Sequence, residues 1–255
     1  MARRLEIWLN DQALRDVDRR IIIRELHDNA PQIEAVWGDN PGRSGQRLID
    51  LKRVTKSIGI EIAIRELYDL GARQSVLDAV NAWARDGWLR TNTQPGRRIY
   101  VTATGWPSMD NAREYTGTYT IGFTAAASPY WEDDIPMTYS GSGASLSGRV
   151  TNRGTADALP DVTITPTTGT LTHAEITVGV TAFTFDGLAL DAGDELTIRH
   201  DERGFLRIDA AGASAFGFRT AQSDDELIAA PGINGVTFEG DAACDVSVAV
   251  RGRYK

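Results

Sequence analysis

The fold class this sequence predicts is mainly β, with one principal α-helix. Three observations carry it. Short runs with a two-residue alternation of apolar and polar residues recur, the cleanest being Thr118-Tyr119-Thr120-Ile121-Gly122-Phe123-Thr124, as expected of half-buried strands. One stretch has the helical period instead: Val76, Leu77, Val80, Trp83 and Ala84 fall at i, i+1, i+4, i+7 and i+8, a single apolar stripe. Finally, the texture changes near residue 140, because all six tryptophans (8, 37, 83, 88, 106 and 131) precede it and only short strand-like runs follow.

Taken in order, Leu5–Leu9 is an apolar segment closed by the turn formers Asn10-Asp11. Arg19-Arg20-Ile21-Ile22-Ile23-Arg24 is β-branched at its centre and charged at both ends. Such a strand is either sandwiched between two layers or lies at an edge that another subunit covers. A loop is expected at Asp39–Gly45, then a strand at Leu48–Val54 that forms a long, charged hairpin with the next strand, which ends at Ile64. Asp69 is placed to cap a helix over about residues 70–86. Gly87 is placed as the residue beyond that helix's end, where positive φ is needed. A turn at Pro95-Gly96 leads into a strand at Ile99–Thr104. Val76, Val80 and Trp83 from the helix, with Tyr119, Ile121 and Phe123 from the later strand, are the expected core of the first domain. Ser140-Gly141-Ser142-Gly143-Ala144-Ser145 has linker composition, which sets domains at 1–139 and 140–255. Beyond it, runs such as Val162–Thr165, Ile176–Val178, Phe183–Phe185, Leu196–Ile198 and Leu206–Ile208 have the spacing of a β-sandwich.

Composition narrows the function classes. The net charge of −8 is uneven: residues 1–139 carry 18 Lys and Arg against 19 Asp and Glu, and residues 140–255 carry 9 against 16. Neither half offers the clustered cations of a nucleic-acid grip. No apolar run is long enough for a membrane-spanning helix, and Glu6, Asn10 and Asp11 interrupt any leader-like segment. The single Cys244 excludes an internal disulfide. Beside Ala242, Ala243 and Asp245 it reads as a packed thiol.

No catalytic constellation assembles from the remaining residues. His27, His173 and His200 sit in unrelated contexts without metal-ligand spacing. The carboxylates of Asp191-Ala192-Gly193-Asp194-Glu195 lack the calcium-loop pattern and read as a turn, and Asp224-Asp225-Glu226 as a solvated loop. No cofactor, no catalytic residue and no metal site is expected. A β-sandwich hydrolase of cell-wall polymers is thus left without residues to carry it.

Three motifs carry a family resemblance: Leu70…Arg73…Val80-Asn81-Ala82-Trp83-Ala84…Gly87…Leu89…Pro95-Gly96-Arg97, then Ala127-Ser128-Pro129-Tyr130-Trp131, then Ala230–Val236 with the closing strand Val246–Arg251. In this order they resemble the distal tail (Dit) proteins of long, flexible-tailed bacteriophages. The resemblance implies an N-terminal β-sandwich-like ring domain with a helix, followed by a C-terminal galectin-like β-sandwich. It also implies a structural, non-enzymatic role at the distal end of the virion tail, with synthesis in the bacterial cytoplasm. The implied assembly is a homo-oligomeric ring, usually a hexamer. Its partners would be the tail tube protein and the hub or lysin protein, with tape-measure and receptor-binding proteins as further candidates, and DNA would pass through the lumen without specific binding. Arg19, Arg20, Ile21, Ile22, Ile23 and Arg24, with the strands at 48–64, are the expected subunit interface. The alternative is a carbohydrate-binding module or adhesin acting through the second sandwich, a reading weakened by the lack of tryptophan there.

Overall fold

The computed structural model describes residues 4–39, 46–65, 69–106 and 118–255. All of the expected loop at Asp39–Gly45 except Asp39 lies outside them. The chain forms two compact units, Met1–Trp131 and Glu132–Lys255, so the division falls at Trp131/Glu132 where composition set it at 139/140.

The first unit runs β1 (Ile7–Leu9), β2 (Gln12–Ala13), α1 (Leu14–Val17), β3 (Ile21–Asp28), β4 (Ile33–Asp39), β5 (Gln46–Arg53), β6 (Lys56–Ile64), α2 (Leu70–Trp83), β7 (Gly87–Thr91), β8 (Arg97–Gly105) and β9 (Thr118–Ala125). An antiparallel sheet has the order β2-β1-β7-β8-β9-β6-β3, while β4 and β5 form a separate two-stranded pair. Period-two alternation sends one face inward: Ile58, Ile60 and Ile62 of β6, Tyr119, Ile121 and Phe123 of β9, and Ile21 and Ile23 of β3 are buried. The apolar stripe of α2 is buried as well, through Val76, Leu77, Val80 and Trp83. Trp83 meets Phe123 edge-on with ring centroids 6.3 Å apart. Its indole N–H donates to the Gln12 carbonyl at 3.0 Å, so the one polar atom of the buried ring is satisfied.

The Asp69 carboxylate accepts from the Gly71 N–H at 2.9 Å and starts α2. The helix stops at Trp83, short of residue 86, and Gly87 already belongs to β7. Close approach is what requires glycine there. The Asn10 amide spans the junction, donating to Asp86 O at 3.1 Å and accepting from Trp88 N at 3.0 Å. A Cβ on residue 87 would lie 2.1 Å from Asn10 Oδ1.

The second unit continues with β10 (Trp131–Asp133), which begins on the last residue of the first, then β11 (Met137–Asn152), β12 (Asp161–Pro166), β13 (Leu171–Val178), β14 (Thr181–Leu190), β15 (Leu196–His200), β16 (Leu206–Ala210), β17 (Ala213–Ser214), β18 (Gly232–Val250) and β19 (Arg253–Tyr254). The strand β18, 19 residues long, is the spine. β11 pairs along one edge of it; β13 takes the first half of its other edge and β12 the second half. Ile176, Phe183 and Phe185 from one branch share a buried cluster with Ile164, Ile198 and Ile208 from the other. The sheet therefore folds over upon its own apolar face.

The fold-over is where the linker was expected. Ser140–Ser145 is strand, paired to β18, with a register irregularity between Gly143 and Ser145. In a straight strand, residues nine apart lie roughly 30 Å apart. Here a Cβ on Gly148 would fall 1.9 Å from Tyr139 Cε2, so β11 doubles back and brings the two together. The small residues serve the bend and the close packing across it; they do not form a free connector.

Removing the Trp83 ring should cost about 3–5 kcal/mol, the range for a large aromatic deleted from a core. Chemical denaturation of Trp83→Ala against wild type measures it, and an unchanged midpoint would contradict the packing described. A second expectation concerns His200. Burial pushes its pKa down, against a weaker upward pull from Glu226, and neither ring nitrogen has a hydrogen-bond partner. The unfolded chain binds a proton near pH 6.5, where the folded chain does not. The stability associated with neutral His200 is thus complete above about pH 6.5 and is lost as pH falls through the lower folded value. Melting temperature followed from pH 7.5 to 5 should fall less steeply for His200→Gln than for wild type.

Candidate functional site

The feature that sets the first unit apart is a ribbon that leaves its sheet. β3 and β6 pair from Ile21↔Ile64 to Asp28↔Ile58. The ladder resumes through Gln32 N to Thr55 O at 2.7 Å and Val54 N to Gln32 O at 3.0 Å. It then continues as β4–β5, from Ile33↔Arg53 to Asp39↔Gln46. The expected hairpin between the strands at 48–54 and 56–64 is not what forms. Two β-branched residues, Val54 and Thr55, separate β5 from β6, and they resist the positive φ that a two-residue hairpin turn demands. The chain runs on, and β5 pairs with β4.

The base of the ribbon is clamped. Asp28 ends β3 and Lys56 begins β6, and the Lys56 ammonium meets the Asp28 carboxylate at 2.7 Å. The other oxygen of Asp28 accepts from the Trp131 indole N–H at 3.0 Å. The Lys56 ammonium also lies 5.8 Å from the centroid of the Trp131 ring. Lys56 and Trp131 are both buried. The Pro-Tyr-Trp motif thus supplies the N–H that completes a largely buried ion pair.

Beyond the clamp, the register places Ile33 opposite Arg53, Ala35 opposite Leu51 and Trp37 opposite Leu48; the alternate positions pair Glu34 with Lys52 and Val36 with Asp50. A bulge leaves Ile49 as the extra residue. Ile33, Trp37 and Ile49 are 60%, 55% and 58% exposed, and Leu48 and Val54 are exposed too. A two-stranded ribbon with an apolar register, which no layer covers among the described residues, is marginal in water, and exposed apolar clusters of this kind mark contact surfaces. Beside it, β3 ends the sheet order and presents an edge.

The residues expected at the interface are divided between two roles. Ile21 and Ile23 turn into the unit's own core, and Ile22 alone of the three is half-exposed. Arg20 grips Asp18 with both Nε and Nη2, at 2.9 and 2.7 Å, which holds the Asp18 carboxyl below its usual range. Arg19 and Arg24 are exposed. The strand has an edge position and one partly exposed apolar side chain, whereas the larger exposed apolar surface lies on the ribbon. Its signal in the sequence was Ile33 and Trp37, at i and i+4 of a strand-like run.

Elsewhere several chemically suggestive groups are engaged within the protein. Cys244 is fully buried inside β18, and burial pushes its thiol up to about 11. His173 Nδ1 lies 2.5 Å from Asp186 Oδ1. Asp191 accepts from the Thr170 hydroxyl at 2.7 Å, Asp194 from Asp191 N at 3.1 Å and Asp224 from Ala182 N at 2.7 Å. One groove, of about 410 Å³, lies on the second unit over β11, β18 and β12, lined by Ser140, Ser142, Thr163, Thr165, Asp245 and Ser247 among others. Among the described residues no helix is long and apolar enough to cross a membrane.

No protein-family model and no curated protein sequence matches this chain. Solved structures do. The Dit protein of phage SPP1, described as a paradigm of the hub adsorption apparatus in phages infecting Gram-positive hosts, is similar with a TM-score of 0.70 at 12% identity, over 98% of this chain and 99% of that one. A chain of the phage P2 baseplate in its activated conformation with calcium has a TM-score of 0.51 at 9% identity, over 99% and 98%. Its counterpart with strontium has a TM-score of 0.51 at 8%, over 98% of each. This chain has a Dit-like fold from end to end.

Truncating the clamp should loosen the first unit. Asp28→Ala strands the Lys56 charge and the Trp131 N–H, at a cost of about 2–3 kcal/mol. The double variant Asp28→Ala/Lys56→Met should recover part of that, since the pair without either charge no longer buries an uncompensated ion. Equal destabilisation in single and double variants, read by denaturant titration, would refute the coupling.

Proposed function

We propose that this chain is a distal tail protein, the structural component that builds a ring at the tip of a phage tail. The observation that carries the proposal is the β4–β5 ribbon, with Ile33, Trp37, Leu48 and Ile49 exposed along it, on a chain that shares the Dit fold over 98% of its length. In a closed ring the ribbon of one copy lies against its neighbour, beside the edge of β3. Repetition of a head-to-tail contact closes a ring when the rotation between copies is an integral fraction of a turn, and six copies is the number proposed here. Each Trp, Ile or Leu removed from water contributes roughly 1.5–3 kcal/mol. Three such residues per contact offset a large part of the roughly 4–15 kcal/mol lost in association.

In this reading the first unit makes the ring, between the tail tube protein and the hub or lysin protein. The second unit is a galectin-like sandwich that serves as a platform for receptor-binding proteins. The role is structural, and the ring's channel passes DNA without a specific grip, in keeping with the balanced charge of the first 139 residues. The groove over β11, β18 and β12 favours a second reading, a glycan contact through its hydroxyls and Asp245. Its lining offers no aromatic ring on which a sugar could stack, and so it ranks second; a glycan array probed with the full chain tests it.

Light scattering and native mass spectrometry on the purified chain, alone and with its tube and hub partners, test the ring. Wild type should assemble in at least one of these settings. Trp37→Asp, which places a charge on the exposed ribbon, should leave the circular dichroism spectrum unchanged and abolish assembly. A wild-type chain that stays monomeric at high concentration and joins neither partner would overturn the proposal, as would Trp37→Asp rings formed as readily as wild type.

A further inference from the structure

We propose that Glu25, His27 and Glu61 form a binding site for a divalent transition-metal ion, zinc being the best match to the donor set. The three side chains project from paired strands, β3 and β6, and one donor atom from each lies within 4.8 Å of the others. His27 Nδ1 is 3.7 Å from Glu25 and Nε2 is 4.0 Å from Glu61. These separations are too long for hydrogen bonds, and one ligand atom from each side chain is near enough to the other two to share an ion.

The backbone explains why they meet. Residues 21 and 23 face the core, so unbroken alternation would send residue 25 inward as well. The register instead shifts between Ile23 and Glu25, with Arg24 as the extra residue. This bulge turns Glu25 and His27 to the outward face, where Glu61 already lies between the buried Ile60 and Ile62. The new register sets Glu25 directly across from Glu61 and His27 across from Gly59. The imidazole lies against this glycine: a Cβ on residue 59 would be in contact with it, 3.4 Å from His27 Cδ2. The ring therefore rests over β6, beside the carboxylate pair.

Two carboxylates directly opposed across a ladder repel each other, and a dication between them reverses the sign of that interaction. One imidazole with two carboxylates is a ligand set for zinc or its first-row neighbours, whereas magnesium favours oxygen ligands and retains its water. Tetrahedral zinc places its ligands about 3.4 Å apart, a contraction that two partly exposed glutamates can make by rotamer adjustment. Water completes the coordination, and the bound ion would pin β3 to β6 near the sheet edge. The proposal stands on these residues alone and does not depend on the ring.

Isothermal titration of the full-length chain with zinc chloride, in a buffer free of chelators, tests it. One saturable site per chain is expected, with magnesium chloride giving none. His27→Gln and Glu61→Gln should each weaken zinc binding by about 100-fold or more, since even an outer-shell partner is worth 10–100-fold. Glu25→Gln/Glu61→Gln should fold as wild type does without metal, as judged by circular dichroism, but lose the rise in melting temperature that zinc gives wild type. Absence of saturable zinc binding, or binding unaltered by the His27 and Glu61 substitutions, would overturn the assignment.

Discussion

The junction at which β3 and β6 cease to be sheet and become ribbon is the constraint on which the first unit's projecting surface depends. A free antiparallel ribbon has no fixed direction. Here its base carries a charge pair, Asp28 with Lys56, too far from water to separate cheaply, and Trp131 satisfies the second oxygen of the carboxylate. The clamp has a direct chemical consequence: the sheet's last ladder rung cannot open without stranding a buried ammonium. An apolar ribbon can thus be held out from a stable sheet without drawing the sheet's own strands apart.

The second unit solves a related problem with very different residues. A strand of 19 residues cannot stay flat and still bury its apolar face. Doubling β11 and β18 over lets the two branches cover one another, with Ile176, Phe183 and Phe185 meeting Ile164 and Ile198 in one core. Asn152 secures one end: its amide donates to Ala156 O and Ala229 O at 2.9 and 2.8 Å and accepts from Gly154 N at 2.8 Å. Every polar atom of this buried side chain is paired, as burial requires. Asn234, in the Ala230–Val236 motif, donates to Ala230 O and Gly232 O at the start of β18 in the same manner.

Identity of only 12% with SPP1 Dit over nearly the whole chain is understandable from what the fold asks of its residues. Alternation, a capped helix and a bend of small residues can be met by many sequences. The positions that must be particular are few: a Trp N–H for Asp28, a glycine beneath Asn10, and an asparagine on each strand where β11 ends and β18 begins. Trp131, Gly87 and Asn234 among them lie in the motifs that carry the resemblance.

The sequence by itself determined what local pattern determines. The period of α2, its Asp69 cap, the inward faces of β6 and β9 and the all-β texture after residue 140 follow from side chains a few residues apart. Tertiary structure alone decided what depends on partners far along the chain. Ser140–Ser145 has the composition of a linker, yet pairing with β18 makes it the bend of a strand, because small residues permit both. Ile21-Ile22-Ile23 looks like one apolar patch, but the core of the sheet claims two of the three. Whether β5 pairs with β4 or β6 rests on which ladder continues past Gln32 and Thr55. Glu25 shares a face with Glu61 only because one extra residue at the bulge inverts the alternation. Local periodicity fixes which residues are apolar together; register, set by pairing between distant strands, fixes which of them ever meet.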